Sequence, residues 1–82
     1  MIDHFKIREL ELWWTGSPPY PAKYVLSFYM RKQPLPYYPQ GFDTYEEGIG
    51  YIYNKVQNNE IELSLESYLA LIKEIKRYEI GV

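Results

Sequence analysis

Few side chains in this sequence have the type and spacing that chemistry requires. His4 is the single imidazole, so any catalytic hydroxyl has only one candidate base. None of Ser17, Ser27, Ser64 and Ser67 stands in a G-x-S-x-G turn. Beside Asp3, His4 reads as a surface polar group. Cysteine is absent, which removes thiolate nucleophiles, disulfides and Cys-type zinc sites together. A metal centre needs several converging ligands, and neither an H-x-x-x-H nor a D-x-D-x-D-G spacing occurs. The Gly-rich phosphate cradles G-x-G-x-x-G and G-x-x-x-x-G-K-[ST] are missing as well.

Two carboxylate groupings remain. Glu74-Ile75-Lys76 resembles the E-x-K tripeptide of PD-(D/E)xK nucleases, which carry it on a strand so that acid and base point the same way. Here the tripeptide falls inside a helical pattern, where it decorates a charged face. Asp43, Glu46 and Glu47 could face a cation, but all three suit a helix start. The reading is a non-enzyme with no cofactor and no metal site.

The elements that would position these groups follow from periodicity. In His4–Trp14, apolar residues alternate at Phe5 and Ile7, then again at Leu10, Leu12 and Trp14. The parity switch near Arg8 and Glu9 suggests a β-bulge in one strand. Lys23–Lys32 alternates with Tyr24, Leu26, Phe28 and Met30 on one face. The Gly/Pro-rich stretch between them makes residues 1–33 an antiparallel hairpin. Prolines at 34, 36 and 39 keep residues 34–43 extended.

Thr44 then caps a helix over 44–59, with Glu47 returning to its amide in a capping box. Tyr45, Ile49, Ile52, Tyr53 and Val56 form its stripe. Gly48 and Gly50 weaken this helix unless another element packs close. Asn58 and Asn59 end it. Residues 60–65 read as a short third strand or as the lead into a helix over 65–80. Ser64 is the N-cap of that helix, and its apolar stripe is Leu65, Tyr68, Leu69, Ile72 and Ile75. Gly81 follows its end. The expected fold is a small single-domain α+β protein. It has an antiparallel hairpin sheet with two helices on one face, in β-β-α-β-α order with the third strand short or absent.

The stretch Gly41–Gly48, GFDTYEEG, resembles the G-F-x-T-x-x-E-A helix start of small arm-type DNA-binding domains of phage integrases. Gly48 stands where that pattern has Ala. The resemblance spans eight residues, consists mostly of capping chemistry, and assigns no family. It implies a helix that follows a strand unit.

The distribution of residue types says more than any motif. The chain has 82 residues, 46% hydrophobic and 24% charged, in the range of one folded domain. Its 10 Tyr, 2 Trp and 3 Phe are an unusual excess, concentrated between Trp13 and Tyr53. Tyr24, Phe28, Phe42, Trp14 and Tyr53 fall on inward faces. Trp13, Tyr20, Tyr29, Tyr37, Tyr38 and Tyr51 do not. Exposed Trp and Tyr are favoured interface anchors. Trp13, Tyr20, Tyr29, Tyr37 and Tyr38 are therefore the candidate partner-binding residues. They form one patch or two, depending on whether the proline segment folds back along the sheet.

Charge is uneven as well. The net charge of −2 hides a basic first part, with Lys6, Arg8, Lys23, Arg31 and Lys32 against three acids. The remainder is acidic. Lys6, Arg8, Lys23 and Arg31 with outward aromatics are the alternative, a nucleic-acid-binding face. The preferred reading is a protein-binding module, a small inhibitor or adaptor of the phage or mobile-element type that blocks a host enzyme. A homodimer is a second possible partner arrangement. The longest apolar run, Tyr68–Ile72, is far below the roughly 20 residues of a membrane-spanning helix. No signal segment is evident, so the expected location is the cytoplasm.

Overall fold

The computed structural model describes residues 3–15, 23–29 and 40–81. Four strands form one sheet in the order β1-β2-β3-β4, every neighbour antiparallel. They are β1 (Phe5–Lys6), β2 (Leu10–Trp14), β3 (Tyr24–Phe28) and β4 (Gln40–Phe42). Two helices follow, α1 (Tyr45–Gln57) and α2 (Leu65–Arg77). The architecture is a small compact α+β domain in β-β-β-β-α-α order.

The expected bulge at Arg8 and Glu9 is instead a reversal of the chain. Phe5 lies opposite Leu12 and Lys6 opposite Glu11, and the Ile7 amide donates to the Leu10 carbonyl at 3.0 Å. A tight turn pairs odd positions with even ones, so Phe5 and Leu12 share a face across two strands. Within a single alternating strand, the same parity switch requires an extra residue. β4 lies in what the sequence suggested was a proline-rich connection. It pairs Tyr24 with Phe42 and Val25 with Gly41.

Residues 60–65 form no strand. The amides of Glu60 and Ile61 both donate to the Lys55 carbonyl, closing α1, and Leu65 already begins α2. Asn59 takes the left-handed conformation after α1, with φ 60°, as its sequence position suggested.

The core gathers one face of the sheet (Phe5, Leu10, Leu12, Leu26) with Tyr45, Ile49 and Ile52 of α1, Leu71 of α2, and Ile61. Gly48 lets α1 approach the sheet. A Cβ placed on it would stand 2.6 Å from Leu12 Cδ2 and 2.8 Å from Leu12 Cδ1.

The α2 stripe is corrected. The residues facing the core are Ser67 and Leu71, flanked by Ala70, Ile75 and Tyr78. Of the expected stripe, Leu65 is 73% and Leu69 is 56% exposed. α2 has apolar residues on two sides, and counting helical spacings cannot tell which side is buried.

Candidate protein-binding surface

The helices cover one face of the sheet. The other face carries Glu11 and Trp13 from β2, Val25 and Ser27 from β3, and Lys6 from β1, as the pleat alternation requires. Tyr29 continues this row just past β3, its amide bonded to the Glu9 carbonyl at 2.9 Å. Two aromatics on this face are fixed by hydrogen bonds. The Trp13 indole Nε1 donates to Ser27 Oγ at 3.0 Å, and the Tyr29 hydroxyl donates to Glu11 Oε1. His4 Nε2 meets the second Glu11 oxygen. Tyr29 is 50% exposed, while Trp13 is half-buried. Val25, opposite Trp13, is buried although it stands outside the core cluster.

Hydrogen bonding within this cluster favours the carboxylate form of Glu11 and the neutral form of Tyr29. Hydrogen bonds from Tyr29 and His4 hold the Glu11 carboxyl below its usual value. The same bond pushes the Tyr29 hydroxyl up. A carboxylate that resists protonation is a weak base, and a phenol that resists ionisation is a weak nucleophile. The group is suited to fixing a surface. His4, expected to be free surface decoration, is part of it.

The remaining expected aromatics separate. Trp14, assigned to the inward face, has the core-side orientation of Leu12 but is 42% exposed at the end of β2. Tyr51, expected to be outward, is half-buried against Phe42, with ring centroids 5.1 Å apart. Tyr24, Phe28, Phe42 and Tyr53 pack against the core as expected. Tyr20, Tyr37, Tyr38 and Arg31 lie outside the described residues.

Among the described residues, the bases of the nucleic-acid alternative, Lys6, Arg8 and Lys23, do not converge. Lys6 lies opposite Glu11, and exposed Lys23 precedes β3 at the far end of the ladder. Arg8 is in the β1–β2 turn, lining a groove of about 550 Å³ with Ile7 and the first turn of α2. Another open groove, about 650 Å³, is lined by Phe42, Tyr51 and Tyr78 together with Glu46, Glu47 and Glu79. It is acidic, which opposes phosphate contact.

A buried polar site escaped the sequence reading altogether. Glu9 is 5% exposed and turns inward to the N-terminus of α2. Its Oε2 accepts from the Ser64 amide at 2.7 Å and its Oε1 from the Ser67 hydroxyl at 2.6 Å. Ser64 Oγ in turn donates to Ser67 Oγ at 2.9 Å and accepts from the Ser67 amide at 3.3 Å, as an N-cap does. Burial raises the Glu9 carboxyl, but the bonds from Ser67 and Ser64 outweigh it and leave Glu9 below its ordinary value. Negative charge at a helix N-terminus is also favoured by the helix dipole. The available signal was an acid in a turn and two serines three apart at a helix start, 55 residues downstream.

The two carboxylate groupings differ from their expected roles. Thr44 Oγ1 accepts from the Glu47 amide at 3.2 Å, while the reciprocal half of the capping box does not form. Glu74 is half-buried and accepts from the buried Tyr45 hydroxyl at 2.9 Å, instead of decorating an outer face. Burial first, and then this bond, push Tyr45 far up. Among the described residues no cluster of His, Asp and Glu could hold a metal ion. No helix among them is long and apolar enough to cross a membrane. Compared with known protein families, curated proteins and solved structures, the chain matches none.

Proposed function

We propose that the chain is a non-enzymatic protein-binding module, a small inhibitor or adaptor that docks on a partner protein through the outer face of its sheet. One observation carries the reading. Trp13 and Tyr29 share that face, and each is held in place by a hydrogen bond from its polar end. A partner would gain large aromatic contact area while freezing few side-chain rotors, which is the main cost of forming such contacts. The face lies opposite the helices, so a partner can cover it without disturbing the core. The β1 edge supports face-on docking over strand addition. β1 has 2 residues, and so short an edge offers little ladder to a foreign strand.

A docked module of this kind acts by occlusion, covering a functional surface of its partner such as the active site of a host enzyme. Affinity capture from the source cell, with the full chain as bait, tests the reading. The expected result is a protein retained in fixed stoichiometry and resistant to moderate salt. Retention of nucleic acid alone, lost steeply as salt rises, would overturn it in favour of the basic residues Lys6, Arg8 and Lys23.

A further inference from the structure

We propose that α2 is the contact helix of a homodimer, two copies packing antiparallel through Leu65, Tyr68, Leu69 and Ile72. This inference is independent of the outer sheet face. These four residues recur at i, i+3, i+4 and i+7, the spacing of one helix face. In an isolated chain that face is partly open: Tyr68 and Ile72 are half-buried, and the Tyr68 hydroxyl accepts from Gln57 Nε2 at 3.2 Å. Leu65 and Leu69 are mostly exposed, and neither Tyr68 nor Ile72 packs against the core cluster. The core is served by the other side of the helix, through Ser67 and Leu71. α2 thus has a complete second apolar stripe, and exposed stripes of this kind mark association surfaces.

Charge identifies the occupant as a second copy and sets its direction. Glu66 and Lys73 are both exposed on the same flank of the stripe, about two turns apart. Among the described residues neither has an ion-pair partner. In an antiparallel pair, the same flanks of the two helices face each other. Place the two-fold axis between Tyr68 and Leu69. Leu65 then meets Ile72 of the second copy, and Glu66 comes beside Lys73 of the second copy, twice by symmetry. A parallel pair would put this flank of the two helices on opposite sides of the contact, so Glu66 would meet no Lys73. The antiparallel pair also brings each helix's acidic N-terminal turn alongside the other's basic C-terminal turn, where Lys76 and Arg77 stand. α2 has 13 residues, about 20 Å of contact, which fits a modest, concentration-dependent dimer. Both outer sheet faces stay free in it.

Sedimentation equilibrium on the full chain, from about 1 µM to about 1 mM, reads the assembly directly. The wild-type chain is expected to pass from one to two chain masses across that range. Leu69→Lys should raise the dissociation constant about a hundredfold or more. Its thermal midpoint at low concentration should stay close to that of the wild type, because Leu69 is 56% exposed. Glu66→Lys and Lys73→Glu should each weaken the dimer about three- to tenfold, and the double exchange should restore it. A wild-type chain that remains a monomer at the highest concentration would overturn the proposal. So would a dimer that survives Leu69→Lys. Failure of the double exchange to restore association would overturn the antiparallel arrangement.

Discussion

The Ser64 amide donates to Glu9 Oε2 at 2.7 Å, fastening the β1–β2 turn to the first turn of α2 across 55 residues of chain. Together with the Ser67 hydroxyl on Glu9 Oε1, this bond ties the sheet to a helix that otherwise packs mainly on α1. Two hydrogen bonds to a charged, buried group contribute about 1.5–3 kcal/mol each in typical cases. The docking of α2 therefore combines the core packing of Leu71 with a polar tie through one buried carboxylate.

That dependence has a pH signature. The Glu9 carboxyl lies below its ordinary value in the folded protein, so the unfolded chain takes up the proton first as pH falls. The stabilisation is complete above the usual glutamate pKa of about 4.3. It declines as the solution passes down through the folded value. Glu9→Gln should cost roughly 1–3 kcal/mol at neutral pH. It should also flatten the acid limb of the stability curve. Urea midpoints measured from neutral pH down through the carboxylate range check both. An unchanged acid limb in the variant would mean that other groups set it.

Two glycine exchanges should have opposite signs. Gly48 faces fully buried Leu12 so closely that an added methyl must displace it. Ala gains about 1 kcal/mol of helix propensity there, but overpacking costs about 1–3 kcal/mol. Gly48→Ala should therefore destabilise, by roughly 1 kcal/mol net.

Glu79 holds φ 52° just past α2, where the Ile80 amide closes on the Ile75 carbonyl at 3.0 Å. The left-handed region disfavours a residue with a Cβ, so Glu79→Gly should raise stability by up to about 1 kcal/mol. Thermal or denaturant midpoints of the two single variants test both signs.

The Tyr45 hydroxyl is a third structural lever. It is buried in the core and donates to Glu74 at 2.9 Å, with the Tyr78 ring centroid 5.1 Å away. Tyr45→Phe removes the donor and leaves a half-buried carboxylate with one bond fewer. The expected loss is about 1 kcal/mol or somewhat more, read from the same denaturation curves. A neutral result would show that water replaces the hydroxyl at Glu74.

The parts of the fold legible in the sequence are those fixed by local physics. Thr44 and Ser64 cap helices because their hydroxyls accept from amides three residues on. Tyr24, Leu26 and Phe28 face one side because a strand alternates. Gly48 marked a close approach, and Leu12 proved to be the neighbour. What was not legible depended on distant partners. A tight turn and a bulge give the same parity switch around Arg8 and Glu9, and only the Phe5–Leu12 pairing separates them. Apolar residues on both sides of α2 left its buried side open until Leu71 met the core. Glu9 gave no local sign of burial, because its partners lie in another element. Of the candidate surface, Trp13 and Tyr29 could be named from alternation, but Ser27 and Glu11 as their supports could not.

The central claim, docking through the outer sheet face, is tested most directly by comparative capture. Wild-type chain, a Trp13→Ala, Tyr29→Ala double variant and a Leu69→Ala variant serve as baits, each checked by circular dichroism for a folded state. The account predicts that the double variant loses the captured protein while Leu69→Ala keeps it, since α2 lies on the other side of the sheet. A folded double variant that retains the partner, with Leu69→Ala losing it, would contradict the claim and move the binding surface to the helix.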